Sequence, residues 1–474
     1  MNMDESFEKA AIFSKSLALI DKAEERILQI DDGLFPTTET SEIARELLLS
    51  ALKKIKNLDS LRPMDPSVLY NRLISIQSLI ENVEGSTINH ISWPLVSYCN
   101  DLWDSFFGLS GPRIFYTLTH EHNYYISPFS SQLATLLSDI LPSVDIDNII
   151  GNRKLYCLHL SSLEETNLPL YANIAHEFGH PLYNIHRDDF FNIWDKRFND
   201  IHNNIFTLLE TLDKGQAPRL MVRIKAITLS IAKELLADLF AALVMGPAFF
   251  LSLFEMSWGG NSSTWPILLS PISYNITAYP SFNFRLKCIR DFINIGKFEE
   301  DAKKEFSKIN DTRLQKVSSV FSKIAITDET ERFLARPESD YDRPTIIGVL
   351  NEIMDKLKDS YNLFLENCNG LINREYKDKL SSLNLHNISE LLIRLENDIL
   401  PNIIPDGTLL GNPAEFQTIL NSSALYRLNI LLEETNHEAI EKVSRNIEKI
   451  ERLTAKALEV SYVQRKFSLR DVER

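Results

Sequence analysis

Two stretches of this chain are nearly free of charge, and each carries one carboxylate in a setting that predicts burial. Between Thr166 and His186 the only acidic or basic side chain other than histidine is Glu177. From Leu235 to Phe254 the only charged residue is Asp238. Segments this oily have to be covered by the rest of the fold, and a carboxylate carried inside with them is costly unless a cation or a hydrogen-bond donor meets it. The chain is therefore committed to two interior helices whose few ionisable groups must find partners, and the nearest partners are each other.

The first helix contains His176-Glu177-Phe178-Gly179-His180. Histidines at i and i+4 share one helix face, so both imidazoles can reach a single metal ion. So short a string also arises by chance, with its histidines facing solvent or packed in a core. The isolated Glu177 argues against that reading, because a buried carboxylate calls for a positive neighbour. The second helix contains Glu234-Leu235-Leu236-Ala237-Asp238. Glu234 and Asp238 again share a face. Glu234 is placed as a third ligand, and Asp238 as acceptor for the Nδ1–H of a ligating histidine, a partner that such histidines usually have. The competing account of these carboxylates is a set of ordinary salt bridges, although neighbouring Lys233 lies on another face. Two histidines and one glutamate leave a position open on Zn2+, which marks a catalytic centre, not a closed structural one. The pattern points to a zinc-dependent hydrolase with Glu177 as general base.

The pairing of HExxH with ExxxD resembles the gluzincin clan of zinc metallopeptidases, the thermolysin-like group. The resemblance extends over about residues 113–295, with motif identity confined to the two helices. It implies that His176, His180 and Glu234 bind zinc and that Asp238 orients His176. It further implies that Glu177 takes a proton from a zinc-bound water as that water attacks a peptide carbonyl, then passes it to the departing amine. The clan generally adds a Tyr or His that stabilises the oxyanion. Tyr279 and Arg285 are the candidates here, with Tyr274 and His186 behind them. Tyr279 reads equally as an ordinary loop residue before proline, and Arg285 as a salt bridge anchoring a helix. One departure stands out. Pro181 follows the second histidine, removes the amide that would bond the Glu177 carbonyl, and predicts a kink or an end of the helix there.

The remaining sequence predicts a mostly α (α+β) protein: a zincin-like core with a small β-sheet, flanked by helical regions. At 474 residues the chain exceeds the usual size of one core, and the pattern divides it into 1–110 (helical), 111–298 (catalytic core) and 299–474 (helical). Asp65-Pro66 opens a helix with the apolar stripe Leu69, Leu73, Ile76 and Ile80, and Gly85 supplies a stop. Pro94 opens another, with Val96, Leu102 and Phe106 on its apolar face. Ile114–Leu118, Tyr124–Ile126 and Lys154–Leu160 are β-branched and aromatic runs that predict three strands, the last well placed to rim a substrate cleft. A helix is expected around Asp188–Leu212, and a loop at Trp258–Ser263.

The formal charge of −15 argues against the broad basic surface of non-specific nucleic-acid binding. The uncharged run Leu239–Phe254 is broken by Gly246-Pro247 and is too short for a good membrane span. The acidic Met1–Glu5 start does not read as a secretory signal. Four scattered cysteines without a CxxC pair read as reduced thiols in a cytoplasmic protein. The expected partner is a protein or peptide substrate, with a regulatory protein recruited through the helical regions. His120 and His122 form an HxH pair that fits a solvent-facing turn better than a metal site, and His159 fits strand packing at least as well as a cleft wall. Two other function classes compete with the peptidase. One is a helical interaction or sensor protein that retains a non-catalytic zinc site, and the other is an amide hydrolase acting on small molecules.

Overall fold

The computed structural model describes residues 5–30, 38–57, 65–86, 93–108, 111–119, 124–161, 167–212, 215, 217–257, 264–265, 280–321, 324, 332–333, 343–376, 383–407, 411–433 and 440–472. These residues are mostly helical, with small sheets, and the chain forms two compact units, Met1–Glu165 and Thr166–Arg474.

In the first unit the helices are α1 (Glu5–Gln29), α2 (Thr38–Lys56), α3 (Pro66–Glu84), α4 (Trp93–Phe107), α5 (Phe129–Leu137) and α6 (Ser143–Ile150). The strands are β1 (Arg113–Thr119), β2 (Tyr125–Ser127) and β3 (Leu155–Ser161). Helix α3 begins as its sequence dictates: the Asp65 side chain accepts from the Ser67 amide at 2.9 Å, and Pro66 occupies the first helical position. Leu69, Leu73, Ile76 and Ile80 are all buried in a core shared with α1, α2 and α5. Gly85 ends the helix, though not by adopting a left-handed conformation, since its φ is −68°. A Cβ there would stand 2.5 Å from Thr117 Oγ1, so glycine is needed for the close approach of β1. The three predicted strands form one sheet in the order β1-β3-β2. β3 runs parallel to β1 and antiparallel to β2, and the crossover that a parallel pair requires carries β2, α5 and α6. The two short helices of that crossover have no counterpart among the sequence expectations.

The second unit holds α7 (Leu168–Ile185), α8 (Arg187–Leu212), α9 (Ala217–Met245), α10 (Pro247–Ser257), α11 (Phe282–Phe292), α12 (Ile295–Phe306), α13 (Thr312–Val317), α14 (Arg343–Tyr376), α15 (Leu385–Glu396), α16 (Phe416–Glu433) and α17 (Ile440–Val472). Its strands are two-residue pairs, Thr264–Trp265 with Arg332–Phe333, and Ile403–Ile404 with Asn412–Pro413. The two oily helices are α7 and α9, and they pack on each other. Helix α7 does not end at Pro181 but runs on to Ile185. Proline removes a single backbone bond, and the turn beyond it is held by its own residues, the His186 amide bonding the Leu182 carbonyl at 3.1 Å.

The second oily run breaks at Gly246, where φ is +59°, and continues in α10. Such a break exposes backbone groups inside the protein. Asn421 of α16 meets them: its Nδ2 donates to the Met245 carbonyl and its Oδ1 accepts from the Ala248 amide, both at 2.8 Å. No helix among the described residues is long and apolar enough to cross a membrane. All four cysteines are buried and free.

Helix α8 contributes a pH-sensitive element to this unit. His202 lies 1% exposed beside Trp194 and Phe198, with neither ring nitrogen hydrogen-bonded. Burial, helped by Lys225 and opposed by Asp195, pushes its pKa down to about 4. Between the ordinary histidine value near 6.5 and about 4 the unfolded chain binds the extra proton, so stability rises with pH in that window and falls on acidification. Urea unfolding from pH 7 to 4 should show that loss, and His202→Phe should flatten the profile.

Candidate metal centre

The centre is built on α7 and α9, and their distance of approach decides its geometry. A Cβ placed on Gly179 would lie 2.5 Å from Ala237 Cα and 2.9 Å from Ala237 Cβ. The two backbones therefore touch at Gly179 and Ala237, each of which directly precedes a residue of the site, His180 and Asp238. At that separation the side chains on the facing turns converge. One ligand atom from each of His176, His180 and Glu234 can be chosen so that all lie within 4.8 Å of one another.

Glu234 sits between the two rings. Its Oε2 is 3.3 Å from His176 Nε2, and its Oε1 is 3.9 Å from His180 Nε2. Two ligands about 2.0–2.1 Å from a tetrahedral ion stand roughly 3.3 Å apart, so the first of these spacings is what shared coordination requires. Glu234 Oε2 is also buried without a hydrogen bond. An orphaned carboxylate oxygen facing two imidazoles fits a divalent cation. The rings meet edge to face, their centroids 5.1 Å apart. His176, His180 and Glu234 can thus hold a metal ion.

The His176 ring is oriented from behind. Its Nδ1 lies 2.7 Å from Asp238 Oδ1, which fixes the proton on Nδ1 and leaves Nε2 facing Glu234. Asp238 is 1% exposed and serves a second partner. Arg285 on α11 donates to it through two nitrogens, Nε to Oδ2 at 2.7 Å and Nη2 to Oδ1 at 2.6 Å. Burial opposes the Asp238 charge, but Arg285 and then His176 outweigh it and hold the carboxyl at about 2. Burial likewise opposes charge on His176, yet Asp238, helped by Glu234, outweighs it and pushes the ring up to about 10, so a cation taking Nε2 would displace a proton. Burial, together with the charge on His176, pushes His180 down to about 4, leaving its ring neutral near pH 7. Glu234 is lowered on balance, since His176 and His180 outweigh its burial.

Comparison with family models, with curated proteins and with solved structures finds no match to this chain. Its chemistry has to be argued from the site itself.

The other sequence candidates fall as follows. Glu177 is half-buried on α7, beside His176. Lys233 sets its ammonium 4.8 Å from the centre of the Tyr183 ring. His186 contacts Tyr376, its Nε2 at 2.9 Å from the hydroxyl. His159 belongs to the first unit, on β3. Tyr279, Tyr274, His120, His122 and the loop 258–263 lie outside the described residues. Two features escaped the sequence reading. One is the pairing of Arg285 with Asp238, across 47 residues of sequence. The other is the Gly179–Ala237 contact, whose signal was a small residue at the same place in both motifs.

Proposed function

We propose that the chain is a zinc-dependent peptidase, acting on protein or peptide substrates in the cytoplasm. The observation that carries this reading is the convergence of His176 and His180 of α7 with Glu234 of α9 within 4.8 Å, beside Glu177 on the same helix as the two histidines. These three residues would hold the ion. When bound, zinc supplies a Lewis acid that polarises a carbonyl and acidifies water. Glu177 is the general base: its carboxylate takes the proton released as water attacks the peptide carbonyl, then delivers that proton to the leaving amine. Asp238 orients His176, and Arg285 holds Asp238 in place through two hydrogen bonds; in this reading Arg285 is also a candidate donor to a substrate carbonyl. Tyr279, which precedes α11 by a few residues, is the further donor in this reading. The zincin-like core spans 111–298, and the helical regions 1–110 and 299–474 select substrate or receive a regulatory partner.

A second reading is favoured by one specific observation. The Arg285 guanidinium is committed to Asp238 through two hydrogen bonds, which suits a centre that binds zinc to stabilise a helical interaction or sensor protein without turnover. Zinc content does not separate the two readings, but turnover does. The purified chain should bind zinc stoichiometrically and cleave members of a peptide library. Cleavage should stop on chelation and return with a single equivalent of zinc. A zinc-loaded chain that cleaves neither peptides nor folded proteins overturns the peptidase and leaves the second reading.

A further inference from the structure

The first unit contains a cavity of about 520 Å³, largely open to solvent and within the size range of small-molecule sites. Its floor is set by the pairing of β2 with β3. Tyr125 and His159 are directly opposed in the ladder, so their side chains share a face. Their rings stack with centroids 3.9 Å apart and planes 10° apart. Ser127, two residues along β2, points the same way, and its Oγ lies 3.0 Å from His159 Nε2.

The direction of that hydrogen bond follows from what surrounds the ring. His159 is 3% exposed, and its Nδ1 is buried without a partner. Burial pushes its pKa down to about 4, so the imidazole is neutral and carries one N–H. On Nδ1 that hydrogen would be a buried donor facing nothing, whereas an acceptor lone pair left unmet there is the smaller penalty. The hydrogen therefore sits on Nε2 and is donated to Ser127 Oγ. Ser127 is left with a hydroxyl hydrogen to give, beside the cavity.

Leu79, Leu136 and Pro128 supply apolar surface, while Asn82 and Gln132 supply carboxamides that both donate and accept. Among the described residues no charged side chain lines the cavity, so a ligand there meets hydrogen-bonding groups and apolar surface but no counter-charge. We infer that this cavity binds a small uncharged molecule bearing an amide, whose carbonyl accepts from Ser127 and whose N–H and body meet the Asn82–Gln132 rim and the apolar wall. The site belongs to the first unit and owes nothing to the metal centre.

Two sources share that chemistry, a blocked peptide fragment and an acetamido sugar. Full-length protein labelled at its histidine rings would be titrated by NMR with N-acetyl-alaninamide and with N-acetylglucosamine, and with acetate and methylammonium as charged controls. One of the two amides should shift the His159 resonances in a saturable way, and which one does so identifies the source. Ser127→Ala should weaken that binding at least tenfold, and so should Gln132→Leu, an exposed change on α5 that leaves the strand pairing intact. Absence of a saturable shift with both amides overturns the inference. So does acetate or methylammonium binding as tightly, or undiminished binding by Gln132→Leu.

Discussion

Glu177→Gln is expected to lower peptide hydrolysis by roughly 10²–10⁴-fold, the usual weight of a positioned general base, while leaving zinc affinity within a few-fold of wild type. The two halves of this expectation have separate structural grounds. Glutamine keeps the size and hydrogen-bonding reach of glutamate but accepts no proton at neutral pH. The three side chains whose atoms converge are His176, His180 and Glu234, so the amide removes none of the grip on the ion. Measuring kcat/KM beside zinc affinity by chelator competition distinguishes the outcomes. If hydrolysis survives, Glu177 is not the base; if zinc is lost with it, Glu177 is a ligand and the centre has been misassigned.

The second large effect concerns a residue with no polar atom in its side chain. Gly179→Ala would ordinarily stabilise a helix by about 1 kcal/mol. Here the added methyl meets Ala237 Cα at 2.5 Å, a backbone atom that cannot turn aside, so the helices must separate. Overpacking of this kind costs about 1–3 kcal/mol, and the substitution should destabilise where helix propensity alone predicts the reverse. Separation also draws Glu234 away from the imidazoles, and a fall in zinc affinity of about 10–100-fold is expected by comparison with other changes around metal ligands. Gly179→Val should do worse on both counts. Ala237→Gly added to Gly179→Ala should restore only part of the loss, because it relieves the 2.9 Å contact with Cβ but not the approach to Cα. Thermal melts and chelator competition on the three variants test the argument, and a more stable Gly179→Ala protein with unchanged affinity would refute it.

Much of this arrangement was legible in the sequence, and the reason is physical. Charge is so scarce along α7 and from Leu235 to Phe254 that Glu177 and Asp238 had to be explained, and an i,i+4 spacing places side chains on one face without knowledge of the rest of the fold. The strands at 113–119 and 155–161 and the cap at Asp65 were legible on the same ground, each being a local pattern with a local cause. Contacts closed across long stretches of chain were not. Arg285 was read either as a donor toward substrate or as a salt bridge anchoring its helix; it makes a salt bridge, but nothing in its own segment says that the partner is Asp238. Pro181 was expected to kink or end the helix, and the helix does not end there: it runs on to Ile185, its last turn closed by the His186 amide on the Leu182 carbonyl. Gly85 shows the same limit, its role being set by Thr117 on a strand that begins far downstream.

The grip of Arg285 on Asp238 has a consequence for the order in which the protein comes into being. During synthesis the histidines emerge first, the acidic pair next, and the guanidinium only when α11 is made. Until then Asp238 has His176 but not the guanidinium that takes two of its hydrogen bonds, and burying it so incompletely paired is disfavoured. A nascent or truncated chain that stops short of Arg285 therefore has reason to leave the pair of oily helices undocked, and whatever reaction the finished centre performs is withheld from the half-made polypeptide beside it.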